Sequence, residues 1–378
     1  MANIKKIGII TMHRVQNNGS ALQAYALQKK INELGYHSEI IDYVFPNSMH
    51  KKNDTFLIKY AKQARHELGD AILGFPARIR KQRFYQFYKN YYRLSDKIYP
   101  SKEELDDNPP HYDLLITGSD QVWGPMNIGH DTTFMLSFCK DDNIPRISYA
   151  ASFATDRIPE KFRSIYSTYL SKYKFISVRE SSGVQVIHDL IHRDATVACD
   201  PSLLLDRVAW SEIAAQSKIN IKKPYILAYI LSYAYNPYPE INHLIQKMQE
   251  QLGLHVIYLD GQLSDYGKRN STVVKCAGPC EFVKLFMDAK FVITTSFHGT
   301  AFALNFSVPL YSVIKNSDSS DSRMFSLLKL VGAENRAITI DTNNLKVEQM
   351  DYMMVNKNIK SLREESISYL HDSIKTLL

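Results

Sequence analysis

No stretch of the sequence approaches the roughly 18 consecutive apolar residues of a membrane-spanning helix; Phe291 to Thr295 is typical of the longest runs. The first residues, Met-Ala-Asn-Ile-Lys-Lys-Ile-Gly-Ile-Ile, start basic but continue as a short strand. They lack the longer apolar core and small-residue cleavage site of a secretory signal, which places the chain in the cytoplasm. Cysteine is scarce. Cys139, Cys199, Cys276 and Cys280 are too few and too scattered for a disulfide framework, and Cys276 and Cys280 have no second Cys or His pair at zinc spacing. Reduced structural thiols and no metal are expected. The sequence also has no G-x-G-x-x-G dinucleotide fingerprint, no G-x-S-x-G elbow around Ser119, no solenoid repeat and no low-complexity linker.

What is present is globular. With 378 residues, 45% hydrophobic and 22% charged, the chain is neither disordered, collagen-like nor a coiled coil. At roughly 100–200 residues per domain its length predicts two or three domains. The net charge of +7 is concentrated. Between Lys51 and Arg93 stand eleven Lys and Arg against three acids, interleaved with aromatics such as Phe75, Phe84, Tyr85, Phe87, Tyr88 and Tyr91. This pattern fits a helical surface facing anionic lipid headgroups, or a solvated helix whose aromatic stripe packs on its own domain. Nucleic acid is not expected, because no binding motif accompanies the patch.

Apolar periodicity gives α/β alternation. Lys6 to Thr11 reads as a strand, Ser20 to Leu34 as a helix stopped by Gly35, and His37 to Tyr43 as a strand. Further strands are predicted at Asp113–Thr117, Arg146–Ala150, Phe175–Val178 and Val197–Cys199. A second series follows: strands Pro224–Leu231, His255–Asp260, Phe291–Thr294 and Leu310–Val313, with helices at Ile241–Leu252, Pro279–Asp288 and Thr300–Asn305. The economical architecture is two Rossmann-like domains facing a cleft, over residues 1–206 and 207–350, with a basic aromatic helical insertion at about 50–95 and a closing helix over 351–378.

Polar clusters follow several strands, at the carboxyl ends where ligands collect in open α/β sheets. His298 sits between strand and helix, beside Gly299 and Thr300 and after Ser296. There it can act as a general acid or base near neutral pH, with Ser296, Gly299 and Thr300, like Ser119 in the earlier block, expected to contact substrate and the following N–H groups free to hold a phosphate. Arg179, after its own strand, suits a planar contact with a carboxylate or phosphate; the alternative is a salt bridge with a neighbouring acid. Arg323 offers a second cation ahead of an apolar helix pattern, and Lys315 a weaker one. His13, Asn17, Asn18 and Gly19 lead into the first helix and can bind a ligand or simply form a turn and cap. Asp120, after Ser119, can orient or deprotonate a sugar hydroxyl, whereas Asp200 before Pro201 reads as structural.

Taken in order, Asn17-Asn18-Gly19-Ser20-Ala21-Leu22-Gln23-Ala24-Tyr25-Ala26-Leu27, Gly118-Ser119-Asp120-Gln121-Val122-Trp123, Ser148-Tyr149-Ala150-Ala151-Ser152-Phe153, Ser177-Val178-Arg179-Glu180, Asp200-Pro201-Ser202-Leu203-Leu204-Leu205 and Ser296-Phe297-His298-Gly299-Thr300 resemble the polysaccharide pyruvyl transferase family. The resemblance implies a GT-B-like pair of Rossmann-like domains. It also implies transfer of pyruvate from phosphoenolpyruvate, as a cyclic ketal, onto a sugar of a polysaccharide or lipid-linked glycan precursor, with no cofactor. It carries catalytic roles to His298 and Arg179. Where members of known activity commonly have Arg-Leu-His-Gly, this chain reads Ser296-Phe297-His298-Gly299, so either a second cation comes from Arg323 or the basic segment, or the donor is a different one. Two rivals stay open: a GT-B glycosyltransferase using a nucleotide sugar, with Glu281 or Asp260 on the ribose, and a non-catalytic protein that binds a glycan or docks a partner.

Overall fold

The computed structural model describes residues 5–46, 74–128, 131–232, 235–259, 270–315, 323–340 and 350–378. These fall into two units. One takes the described residues within Met1–Gly69, Tyr88–Leu204 and Leu362–Leu378, the other those within Asp70–Phe87 and Leu205–Ser361.

In unit 1, strands β1 (Lys6–Ile10), β2 (His37–Tyr43), β3 (Leu94–Tyr99), β4 (Leu114–Thr117) and β5 (Arg146–Ser148) form a parallel sheet in the order β3-β2-β1-β4-β5. The short parallel pair β6 (Ser177–Val178) and β7 (Thr196–Val197) joins its edge through bridges from Phe175 to Ile147 and from Val178 to Ala151. Central strands are covered on both faces, which is why Ile7, Ile9, Ile10, Leu114 and Ile116 form near-continuous apolar runs and are almost fully buried. Helix α1 (Asn18–Glu33) starts on the Asn17 cap, ends where Gly35 turns left-handed at φ +90°, and packs on the single turn Pro201–Leu203.

Helix α2 (Gly74–Tyr91) covers the described part of the basic aromatic segment; Lys51, Lys52, Lys59, Lys62 and Arg65 lie outside the described residues. Most of its aromatic stripe is used internally. Phe84 and Phe87 are buried, Tyr91 packs edge-on against Tyr25, and the adjoining Tyr92 hydroxyl donates to the Ala21 carbonyl. Phe75 and Tyr85 remain 79% and 66% exposed. Helices α3 (Glu160–Leu170) and α4 (Ser181–Ile191) complete the first series.

Unit 2 repeats the plan with α5 (Arg207–Ala214), β8 (Tyr225–Tyr229), α6 (Glu240–Leu252), β9 (His255–Leu259), β10 (Ser271–Val274), α7 (Pro279–Asp288), β11 (Phe291–Thr294), α8 (Phe297–Asn305), β12 (Leu310–Ile314), α9 (Arg323–Val331) and β13 (Ala337–Thr339). Its parallel order is β10-β9-β8-β11-β12-β13, the Rossmann order, around a core of Ile226, Ile245, Val256, Ile293 and Val313. The last helix, α10 (Tyr352–Leu377), is shared. Asn358 donates to the Val331 carbonyl in unit 2; further along, the Ser366 hydroxyl accepts from Cys199 N–H and the Arg363 guanidinium donates to the Leu203 carbonyl in unit 1. Among the described residues no helix is long and apolar enough to cross a membrane.

Three strands, β3, β10 and β13, have no counterpart in the apolar pattern. All lie at sheet edges, where one side meets water and the residues alternate or turn polar.

The turn after β4 depends on Gly118, whose φ is +137° and whose added Cβ would lie 2.0 Å from the Tyr149 carbonyl oxygen. Gly118→Ala is expected to lower stability by about 2 kcal/mol or more, from backbone strain and overlap together. Urea unfolding of the purified variant measures it.

Candidate active site

In unit 1 the polar residues following the strands are cross-linked to one another. Thr11, after β1, donates its hydroxyl to the Ser119 carbonyl and accepts from the Gln23 amide, while Gln23 Oε1 accepts from Ser119 N–H. The Ser119 hydroxyl donates to the Ala150 carbonyl at 2.6 Å, so this fully buried serine braces one loop against the next. Asp120 has φ +75°, a conformation that L residues seldom adopt outside functional or tightly determined turns. Its Oδ1 accepts from Gln121 N–H at 2.8 Å and its Oδ2 from the Ser20 hydroxyl at 2.5 Å.

Arg179 is buried at the end of β6. Its Nη1 donates to Asp200 Oδ2 at 2.8 Å; Nη2 lies 3.7 Å from Asp120 Oδ1, and Nε 4.0 Å from Glu180 Oε2. Burial alone would favour loss of the proton, but the nearby carboxylates, Asp200 foremost, outweigh it and raise the guanidinium pKa above its ordinary value. The salt bridge that is the alternative for Arg179 is therefore present, and its partner is Asp200. That aspartate does more than shape its own turn: one carboxylate oxygen holds the guanidinium through Nη1 while the other accepts from Ser202 N–H at 2.9 Å. Glu180 is equally engaged. Its Oε1 accepts from the Ser152 hydroxyl and from the N–H groups of Phe153 and Ala154, tying the end of β5 to the start of α4.

The loop into α1 divides its candidates. His13 is 1% exposed, with Nδ1 3.1 Å from the Thr11 carbonyl and Nε2 3.0 Å from Asp42 Oδ1. Both ring nitrogens face internal oxygens, which corrects the expectation that His13 meets a ligand. Arg14 joins it with two further bonds to Asp42. Asn17 is the helix cap, accepting from Ser20 N–H, and Gly19 is buried in the first turn. Asn18 is fully buried, and neither polar atom of its side-chain amide has a hydrogen-bond partner among the described residues.

In unit 2, α8 begins at Phe297, three residues ahead of the expected Thr300, so His298 lies in the first helical turn. Ser296 caps the helix by accepting from Gly299 N–H, and Ser296 N–H donates to the Thr294 hydroxyl. Thr300 bonds back to the Ser296 carbonyl and shares a 2.8 Å contact with the Ser312 hydroxyl. The expected ligand contacts of Ser296 and Thr300 are thus used to build the turn. Gly299 is required for packing: a Cβ there would stand 2.4 Å from Thr294 Oγ1. His298 itself is 8% exposed, its ring edge-on to Phe297. Arg323 opens α9, and the next residue, Met324, accepts from the Ser312 hydroxyl through sulfur at 3.4 Å, which fastens the start of α9 beside that of α8. Lys315 is exposed just past β12.

Glu281, the candidate for a nucleotide ribose, is a buried capping residue that accepts from Gly278 N–H and Lys218 N–H and pairs with Arg83. Three internal partners leave it no such role, and Asp260 lies outside the described residues. Among the described residues no group of three or more His, Cys, Asp or Glu is placed to hold a metal ion.

Asp42 yields a pH prediction. Burial works against its charge, but the hydrogen bonds and charges of His13 and Arg14 win and hold its carboxyl below the usual carboxylate value. A depressed carboxylate stabilises the fold above its unfolded pKa near 3.9 and loses that contribution as pH falls through the folded value. Asp42→Asn should therefore lower stability by about 1–2 kcal/mol at pH 7, by taking the charged acceptor away from the part-exposed Arg14 guanidinium and the His13 ring, and the melting-temperature gap to the parent should close as pH falls below about 4.

A family model for polysaccharide pyruvyl transferase matches residues 17–318. No curated protein matches the sequence. Among solved structures, UDP-N-acetylglucosamine 2-epimerase from Rickettsia bellii aligns with a TM-score of 0.50 at 12% identity, covering 99% of this chain and 96% of its own. Arabidopsis thaliana UGT89C1, complexed with UDP-L-rhamnose, aligns with a TM-score of 0.52 at 9% identity, covering 98% and 99%. At such identities the likeness is one of fold, α/β and GT-B-like. The family match is different in kind, because it spans most of the sequence and takes in Asn17, Asp120, Arg179 and His298: the chain belongs to the polysaccharide pyruvyl transferase family.

Proposed function

We propose that this transferase moves pyruvate from phosphoenolpyruvate onto two hydroxyls of one sugar, in a polysaccharide or lipid-linked glycan precursor, as a cyclic ketal with release of phosphate. The observation that carries the reading is His298, a nearly buried imidazole held in the first turn of α8 by the Ser296 cap and the Gly299 contact, inside the family-matched span.

The chemistry needs an acid, two cations and a base. His298 protonates the donor's methylene carbon, leaving an oxocarbenium-like centre that the first sugar hydroxyl attacks while Asp120 accepts its proton. Phosphate then leaves from the same carbon and the second hydroxyl bonds there to close the ring, its proton passing to the departing phosphate. In unit 2 the N-terminus of α8 and Arg323 suit a phosphate, and in unit 1 Arg179 suits a carboxylate, the two anionic groups that the donor carries. Three carboxylates surround Arg179, so it cannot neutralise a multiply charged anion alone. Arg323, at the start of a helix fastened beside α8, is the second cation that Ser296 does not provide.

Exposed Arg78 and Lys81 on α2, with the exposed rings of Phe75 and Tyr85, support peripheral association with an anionic membrane surface carrying the acceptor. Arg83 does not contribute there, since it pairs with Glu281 and donates to the Cys276 carbonyl.

His298→Ala should reduce phosphate release from phosphoenolpyruvate in the presence of acceptor by about 10²-fold or more, with the folded circular-dichroism spectrum retained at the assay temperature; near-parental turnover would remove the acid from this position. Arg179→Lys should raise the donor KM by about tenfold, because a point charge cannot hold Asp200 and bind the donor side-on together. An unaltered donor KM would separate Arg179 from the donor. Flotation with phosphatidylserine vesicles tests the membrane reading, and Arg78→Glu with Lys81→Glu should clearly reduce the bound fraction.

A further inference from the structure

We infer that Asn18 is a specificity-determining contact for the acceptor, its side-chain amide binding hydroxyls of the sugar that receives pyruvate. This rests on the pyruvyl-transfer reading above and adds a residue to its acceptor side.

Asn18 is the first residue of α1 and is 0% exposed, and neither Nδ2 nor Oδ1 has a hydrogen-bond partner among the described residues. Leaving an amide buried without partners costs about 1–3 kcal/mol, and a leucine of nearly the same shape would avoid that cost. The neighbouring polar side chains of the same turn are committed. Asn17 caps the helix by accepting from Ser20 N–H at 3.2 Å, and the Ser20 hydroxyl donates to Asp120 Oδ2 at 2.5 Å. The second of these bonds fastens the turn bearing Asn18 to the carboxylate that takes the proton of the attacking hydroxyl. An amide offers one donor and one acceptor side by side. A sugar diol offers the complement, since each hydroxyl both donates and accepts, and ketal formation requires two hydroxyls of the same sugar. A ligand of this kind satisfies both amide atoms, whereas an anion satisfies Nδ2 and repels Oδ1.

The test uses the full-length protein and its Asn18→Leu variant. Binding of methyl glycosides of glucose, galactose, mannose and N-acetylglucosamine is followed by saturation-transfer NMR, alongside melting temperature and, with phosphoenolpyruvate, the separate KM values of donor and acceptor. The expected result is a melting temperature at or above the parent's, a donor KM within about twofold, and glycoside binding weakened by about tenfold, the equivalent of one neutral hydrogen bond. Equal glycoside binding by parent and variant, or none by the parent, would overturn the assignment. So would a lower melting temperature with unaltered acceptor binding, the signature of an amide satisfied by buried water. If the parent binds a glycoside, the variant loses it, and neither protein releases phosphate from phosphoenolpyruvate, then the acceptor contact stands and the donor reading fails.

Discussion

A guanidinium taken out of water must be matched by anions, and in unit 1 that requirement draws three chain segments together. Arg179 ends β6, Asp120 follows β4, Glu180 opens α4 and Asp200 follows β7. None of these strands is longer than four residues, and their ladders alone would not fix the loops beyond them. The ion pair with Asp200 and the two nearby carboxylates do. Removing Arg179 would leave three buried carboxylates without their shared cation, a far greater cost than loss of an exposed pair would entail. The polar bonds from Ser20 to Asp120 and from Glu180 to residues 152–154 extend the same arrangement into α1 and the end of β5.

Unit 2 reaches a comparable rigidity by a neutral route. The first turn of α8 is closed by hydroxyls and N–H groups of Thr294, Ser296, Gly299, Thr300 and Ser312, each engaged with another. Such a turn fixes the backbone that carries His298 through neutral groups. The helix N-terminus supplies the positive potential instead, as it does wherever free N–H groups face an anion.

Central strands and the helices between them are readable from sequence because burial on both faces writes an uninterrupted apolar run, as in Leu114–Thr117 or Phe291–Thr294. The edge strand Leu94–Tyr99 is not, since solvent on one side lets Asp96 and Lys97 into the pattern. The site is legible as a set of blocks, and much less so as a set of partners. Spacing does not announce that Arg179 will meet Asp200, twenty-one positions on, or that His13 will meet Asp42. It also misleads on Gly299: a glycine beside a candidate acid suggests room for a ligand, yet here it admits the Thr294 hydroxyl. Asn18 is the opposite case: the sequence leaves ligand contact and turn formation equally open there, and only the structure shows an amide that is fully buried with no hydrogen-bond partner among the described residues.

The tail of the chain returns to unit 1, where Ser366 receives the Cys199 amide, Tyr369 reaches the Ser148 carbonyl, and Leu370 and Ile374 are fully buried. The unit is therefore discontinuous in the gene. A stop codon shortly after residue 204 would strip a hydrophobic strip and several carbonyl caps from the very edge that carries Arg179 and Asp200. Anyone dissecting the enzyme would need to graft the last helix onto the truncated fragment through a linker, and a purification tag is better kept away from the carboxyl terminus.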